Sequence, residues 1–391
     1  MRYRQMKKWL TLLMILAMSV SLLGGCSKKE EVPEETSEIS EETSVEESSE
    51  SSVESSEVSS ESSESSVESS EESSEESSEE VYAGPWNPLT GEPCEVDMTT
   101  WRPYIFMINN ISVAMPQVGI SQADMIIELM EEGSITRMMA FFMDPSGLDK
   151  IGSIRSARAY NVETALGYDG ILVHAGGSTE AQGMIYDYGL ADVDAVAGKY
   201  YGEAFYRDYS RTTYGIEHGL FADGSECMAS AVQLGYRTEH YEDFDNTYGL
   251  IFNENAADQC SESAKSITVY YAGGKTTSFE YDEATDMYTA YQYGDEYNDN
   301  WETAVPFRNV IMIYASTWLQ SDGVHLTIEL DYGSGYYFTG GKAVPIHWYK
   351  DGAWDCFHFE LEDGTSLELA PGKTFIAVNQ TDSYYGSVEF E

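Results

Sequence analysis

Positive charge is scarce in this 391-residue chain: 21 Lys and Arg stand against 68 Asp and Glu, a formal net charge of −47. That balance excludes a nucleic-acid partner, which requires a basic footprint to displace phosphate counterions. Cysteine is scarce too, with five residues and no Cys-x-x-Cys pair, which removes support for zinc-ribbon and thioredoxin-type chemistry. No His-Glu-x-x-His, Walker or Gly-x-Ser-x-Gly motif occurs, so neither a zincin, a P-loop enzyme nor a serine hydrolase with the usual nucleophile elbow is indicated. No motif calls for a cofactor or a metal. Long apolar runs are missing as well, apart from Trp9–Leu23, which is short for a membrane span.

What is present begins with an address. Arg2, Arg4, Lys7 and Lys8 precede the apolar run, and Leu23-Gly24-Gly25-Cys26 follows it. Residues 1–25 read as a signal peptide. The four residues ending in Cys26 resemble the lipobox of bacterial lipoproteins, which implies lipid on Cys26 and a place on the outer face of the cytoplasmic membrane. Residues 26–80 then form a Ser/Glu stretch: positions 27–80 hold 21 Glu against Lys28 and Lys29, a net of −19, and no aromatic residue. Such a segment cannot bury enough surface to offset the entropy of folding, and self-repulsion keeps it extended. Its expected role is a disordered tether reaching up to roughly 180 Å.

Residues 81–391 are the folded body. Four of the 21 basic residues stand in the leader and two in the tether, leaving 15 against 47 acidic residues. The expected class is α+β: a mixed α/β domain over 81–260 with a partly parallel sheet, then an antiparallel β-rich domain over 261–391. In the first, Tyr104–Ile108 reads as a buried strand. Met125–Met130 and Ile135–Phe142 read as a hairpin, with a helix capped at Ser121-Gln122-Ala123-Asp124 as the competing assignment. Ile151–Ile154 and Gly170–Ala175 read as a parallel strand pair. Helices follow them, one capped by Ser156 over Ala157–Leu166 and one with a Thr179/Gln182 capping box running to Tyr188. From Ser266 on, short Tyr/Val/Ile/Phe runs alternate with Gly and Asp turns. Cys94, Cys227, Cys260 and Cys356 allow three disulfide pairings and are expected to be unpaired or partly paired.

Because arginine is rare here, its placement is informative. Arg137, Arg155, Arg158, Arg207 and Arg211 fall within 75 residues, and Arg155 and Arg158 flank Ser156 at an expected strand-to-helix junction. His174-Ala175-Gly176-Gly177-Ser178 marks the next such junction. Ligands of open α/β sheets bind along that edge, where helix starts and guanidinium forks accept anions. Arg137, Arg155, Ser156, Arg158, Gly176, Gly177 and Ser178 are therefore the anion-binding candidates. The bland alternative is that the arginines pair with Glu128, Glu131, Glu132 or Glu163, Gly176-Gly177 is only a turn, and His174 is an interior histidine. His174 and His218 are the catalytic candidates, His174 as part of a triad with Ser178 and Asp169 or Asp187. The acidic loop Asp295–Asp299 lacks EF-hand spacing and reads as a surface loop.

Several motifs recur in a known order. They include Asn87-Pro88-Leu89-Thr90-Gly91, Met107-Ile108-Asn109-Asn110, Gly119-Ile120-Ser121-Gln122-Ala123-Asp124, Ile135-Thr136-Arg137, Ile154-Arg155-Ser156-Ala157-Arg158, His174–Ser178 and Gly372-Lys373-Thr374. This series resembles the YerB-like lipoproteins of Gram-positive bacteria. The resemblance implies a mixed α/β domain, a C-terminal β-rich domain and attachment by lipid, and it implies no catalytic reaction. Where family members carry a Pro-His-Asn-Leu-like stretch, this chain has Glu217-His218-Gly219-Leu220, matching only His and Leu. The expected function is a lipid-anchored binding or accessory module that recognises an anionic wall component or an envelope protein. A cell-wall hydrolase or transferase using His174 or His218 is the alternative. A solute-binding lipoprotein would need two similar lobes, which the β-rich second half does not offer.

Overall fold

Seven consecutive buried residues, Tyr104–Asn110, form the first strand, β1, of a computed structural model that describes residues 84–381 and 386–391. Cys26 and the acidic stretch lie outside the described residues. Burial on both faces suits an interior strand, and β1 lies between an antiparallel and a parallel neighbour. The antiparallel neighbour belongs to the expected hairpin: β2 (Met125–Glu131) pairs with β3 (Ile135–Phe142) from Met125↔Phe141 to Glu131↔Ile135. Gly133 and Ser134 turn it with φ of 76° and 58°, the left-handed region that glycine enters without strain. The competing helix shrinks to a single 3-10 turn at Ile120–Gln122.

The run Ile151–Ile154 yields only β4 (Ile151–Gly152), which corrects the expected pairing. The parallel partner of β5 (Ile171–His174) is β1, and β5 in turn pairs with β6 (Asp192–Asp194). The chain past β4 runs antiparallel to β1 instead, with Ile154 bridging Ile108. β4 instead pairs with β8 (Leu220–Ala222), which also carries β7 (Phe205–Arg207), in a small three-stranded sheet. The first helix, α1 (Ala159–Gly167), begins after Arg158, with Asn161 Oδ1 accepting the Arg158 amide at 2.7 Å. Ser156 is therefore not its cap. Helix α2 (Thr179–Tyr188) ends where expected, but its cap is Ser178, whose Oγ accepts the Ala181 amide. A third helix, α3, spans Gly224–Gln233.

In the second half, β9 (Ser266–Tyr270), β10 (Thr276–Asp282) and β11 (Met287–Gln292) form an antiparallel meander edged by the C-terminal strand Ser387–Phe390. Then come β12 (Asn309–Leu319), β13 (Tyr332–Thr339), β14 (Lys342–Tyr349) and β15 (Thr374–Gln380). β12, β13 and β14 are antiparallel neighbours, but β15 is parallel to both β12 and β2. The second half is thus not purely antiparallel. One twelve-stranded mixed sheet runs across both sequence segments, joined where Met125 faces Thr374. The meander packs on this sheet through Phe279, Phe307 and Phe375, with ring centroids 5.1 Å apart for Phe279–Phe375 and Phe307–Phe375. All four described cysteines are free thiols.

Between the two sheets lies a buried polar knot. The Glu128 carboxylate accepts from Asn110 Nδ2 (2.8 Å), Thr136 Oγ1 (2.5 Å), Tyr271 OH (3.1 Å) and Thr277 Oγ1 (2.7 Å). Lys275 Nζ stands 3.2 Å from it and donates to the Thr276 carbonyl, Thr277 Oγ1 and Gln292 Oε1. Asp299, in the acidic loop, accepts from the Gly119 and Ser121 amides at 2.9 Å and from Ser121 Oγ at 2.7 Å, so it holds a turn of the chain.

Candidate anion-binding site

The segment Ser153–Arg158 is threaded between two neighbours. On one side the Asn109 amide donates to the Ser153 carbonyl and the Arg155 amide to the Met107 carbonyl, both at 2.8 Å. On the other, Ala175 N donates to Arg155 O, Ala157 N to Gly176 O and Ser178 N to Ala157 O. The two sequence motifs therefore lie side by side, through these bonds and an Ala157–Gly177 bridge and not as ends of a parallel strand pair. Their side chains do not share one role.

Arg137, on β3, stands 3.0 Å from Glu131 Oε2 and donates to the Ser156 carbonyl. Arg158 grips Glu132 with two bonds of 2.8 Å, lies 3.5 Å from Glu131, and donates to Ser156 Oγ at 3.1 Å. The pairing with Glu131 and Glu132 that the bland alternative offers is thus present for these two arginines; Glu128 pairs with Lys275 instead. Burial opposes ionisation of Glu132, but the Arg158 fork outweighs it and holds the carboxyl at about 2. Glu131 is fully buried, and burial pushes its pKa up to about 7 against the pull of Arg137 and Arg158. Neither of its oxygens has a well-directed hydrogen bond, because the Arg137 N–H points to Ser156.

Arg155 differs. Its guanidinium is partly buried and makes no hydrogen bond or ion pair among the described residues. Burial, then the neighbouring Arg137, push its pKa below the ordinary value, while Glu217 and Glu131 pull the other way.

The second motif is tied to a different pair of acids. His174 is fully buried, with Nδ1 2.8 Å from the Gly176 carbonyl and Nε2 3.3 Å from Asp192 Oδ2. Lys199 also pairs with Asp192. Asp194 Oδ1 accepts the Gly176 and Val196 amides, each at 2.8 Å. His174, Asp192 and Asp194 place three potential metal ligands within 4.8 Å of one another. However, the ring nitrogens and Asp194 already face internal partners, and the Lys199 ammonium sits where a cation would balance the charge. Ser178 Oγ caps α2 and Asp169 binds Arg102, Arg237 and His240, so the expected triad is not assembled. His218 is buried on the Arg155 side of the fold, its Nδ1 receiving Asn109 Nδ2 at 3.0 Å and its Nε2 3.9 Å from Glu217. Arg207 donates to the Ile216 carbonyl, and Arg211 to the carbonyls of Ala114 and Pro116.

These carboxyls set a pH dependence. Glu131 at about 7 and Asp124 at about 6, raised mainly by burial, hold protons in the folded state that the unfolded chain releases near pH 4. Folding therefore binds protons between roughly pH 4 and 7, and stability falls as pH rises through that window. Urea unfolding at a series of pH values should show this slope, amounting to about 3 kcal/mol for Glu131 alone. Glu131→Gln should remove the larger part of it.

A mixed α+β body whose two sequence segments share one large sheet is the class these features define. Residues 89–237 match the family model "Protein of unknown function (DUF3048) N-terminal domain", and residues 267–376 match "Protein of unknown function (DUF3048) C-terminal domain". The chain is 30% identical over 299 residues to the "Putative lipoprotein YerB" of Bacillus subtilis (strain 168), covering 74% of this chain and 85% of that protein. It also superposes on the crystal structure of YerB protein from Bacillus subtilis with a TM-score of 0.66 at 27% identity, covering 78% of this chain and 99% of the other. The chain belongs to this family, as the motif series leads one to expect. No helix among the described residues is long and apolar enough to cross a membrane.

Proposed function

We propose that the protein is a lipid-anchored extracytoplasmic binding module, held to the membrane by lipid on Cys26 and recognising an anionic wall component or envelope partner at Arg155. Similarity to a lipoprotein supports the anchor. The single observation that carries the binding role is the guanidinium of Arg155, partly buried and without a hydrogen-bond or ion-pair partner among the described residues, beside Arg137 and Arg158, which pair with Glu131 and Glu132. A desolvated cation without a partner is costly, and an incoming carboxylate or phosphate relieves that cost. In an acidic body, a guanidinium left without a directly bonded carboxylate selects for anions that the rest of the surface repels.

The full-length protein in detergent micelles should bind poly(glycerol phosphate) or soluble anionic wall fragments. Arg155→Ala should weaken binding about tenfold or more, and Arg155→Lys should recover part of it. Unchanged binding by Arg155→Ala would remove the site.

A further inference from the structure

A concave surface lies apart from Arg155 and is lined by none of the anion-site residues. A cleft of about 480 Å³ is floored by Arg102, Asp169 and Arg237 and rimmed by Tyr188, Tyr241 and Trp354. The floor is held rigidly. Arg237 grips Asp169 with bonds of 2.5 and 2.6 Å, His240 Nδ1 lies 2.8 Å from the same carboxylate, and Arg102 donates to the carbonyls of Asp169, Gly170 and Arg237. The rim is apolar and open. Tyr188, Tyr241 and Trp354 are 46%, 65% and 60% exposed, although they come from the end of α2, the loop after α3 and the turn after β14. Trp354 meets Tyr188 edge-on at 6.0 Å, and the Arg237 guanidinium stacks over Tyr241 at 3.8 Å.

The cleft continues. Gly189, Leu190 and Tyr236 also line an adjoining cavity of about 290 Å³, whose polar side is the Lys199–Asp192 pair and whose outer wall is Tyr186, 86% exposed. Two cavities in series, each with an acid–base pair at its base and exposed rings at its lip, make a groove for a chain-like ligand. Single exposed aromatics are ordinary, but four converging on one polar-floored groove mark a binding surface.

We infer that this groove binds an oligosaccharide, with pyranose rings seated against Trp354, Tyr188 and Tyr241. Sugar rings present C–H faces to aromatic platforms, while their hydroxyls both donate and accept. Arg237 and Lys199 supply donors at the two cavity floors, and the exposed tyrosine hydroxyls of the rim can both donate and accept. The Tyr188 phenol hydroxyl and the Trp354 indole N–H have no hydrogen-bond partner among the described residues and line the same cleft. The inference goes beyond the anion site and uses none of its residues.

The test is titration of the full-length protein in micelles with chitotetraose, cellotetraose and maltotetraose, followed by tryptophan fluorescence and calorimetry. At least one tetrasaccharide should bind saturably, and the corresponding monosaccharide should bind about tenfold more weakly. Trp354→Ala and Tyr241→Ala should each lose tenfold or more, whereas Tyr241→Phe should retain most of the affinity. Both side chains are exposed, so these variants should fold, which circular dichroism checks. Arg155→Ala should leave saccharide binding intact, so failure of the anion reading and failure of this one are separable. The inference is overturned if none of the three sugars binds, if the Trp354→Ala/Tyr241→Ala double variant binds like the parent, or if only a polyproline peptide occupies the groove.

Discussion

Replacing Lys275 with Met should cost about 3–5 kcal/mol of folding stability, measured by urea unfolding of the full chain. The side chain fits the same channel, so the loss is not one of packing. It arises because the Glu128 carboxylate, fully buried and 3.2 Å from Lys275 Nζ, is left as an uncompensated charge among four neutral donors. Gln292 Oε1 and Thr277 Oγ1 lose a donor at the same time. Adding Glu128→Gln in the Lys275→Met background should restore a large part of the loss, since it removes the orphan charge and keeps the shape. A double-mutant cycle therefore reads the coupling directly. If Lys275→Met changes stability by less than about 0.5 kcal/mol, the knot is not held by charge. The outcome matters for the whole body, because Asn110, Glu128 and Thr136 belong to the first family segment and Tyr271, Lys275, Thr277 and Gln292 to the second.

That knot was illegible in the sequence for a physical reason. Gly273-Gly274-Lys275-Thr276 has the composition of an exposed turn, and only the distant Glu128 carboxylate makes burial of the ammonium tolerable. Local pattern did carry the local elements. The β2–β3 hairpin followed from two apolar runs around Glu131-Glu132-Gly133-Ser134, and the span of α2 followed from the Thr179/Gln182 pattern, although its cap is Ser178. Sheet order did not follow. No local signal places Thr374 of β15 beside Met125 of β2, and the parallel insertion of β15 made the second half differ from a simple antiparallel domain.

The candidate site was legible in position more than in chemistry. The two motifs do lie side by side, but through direct backbone bonds between them and not as the ends of the expected parallel strand pair. Which side chains remain available is decided by carboxylates the motifs do not contain. Arg137 and Arg158 answer Glu131 and Glu132, and His174 answers Asp192. Of the Arg102–Asp169–Arg237 floor of the aromatic groove, only Asp169 was named, and for another role, because its members are scattered along the chain. A scarce arginine near exposed aromatics, as in Arg237 to Tyr241, was the one available hint.

Arg137 and Arg155 should respond to the same substitution with opposite signs. Arg137→Met removes the cation 3.0 Å from the buried Glu131 and the donor to the Ser156 carbonyl, and should cost about 3–5 kcal/mol near pH 8. The loss should shrink toward about pH 5, because Glu131, already raised to about 7, then takes a proton instead of standing as a bare charge. Arg155→Met breaks no pair among the described residues and removes a cation that burial and Arg137 both disfavour. It should leave stability unchanged or raise it by up to about 1 kcal/mol, while weakening anion binding. A residue that lowers stability and raises affinity is what a binding site held in tension looks like. If Arg155→Met instead destabilises the protein as much as Arg137→Met does, its charge is already matched within the fold and no ligand is needed to match it.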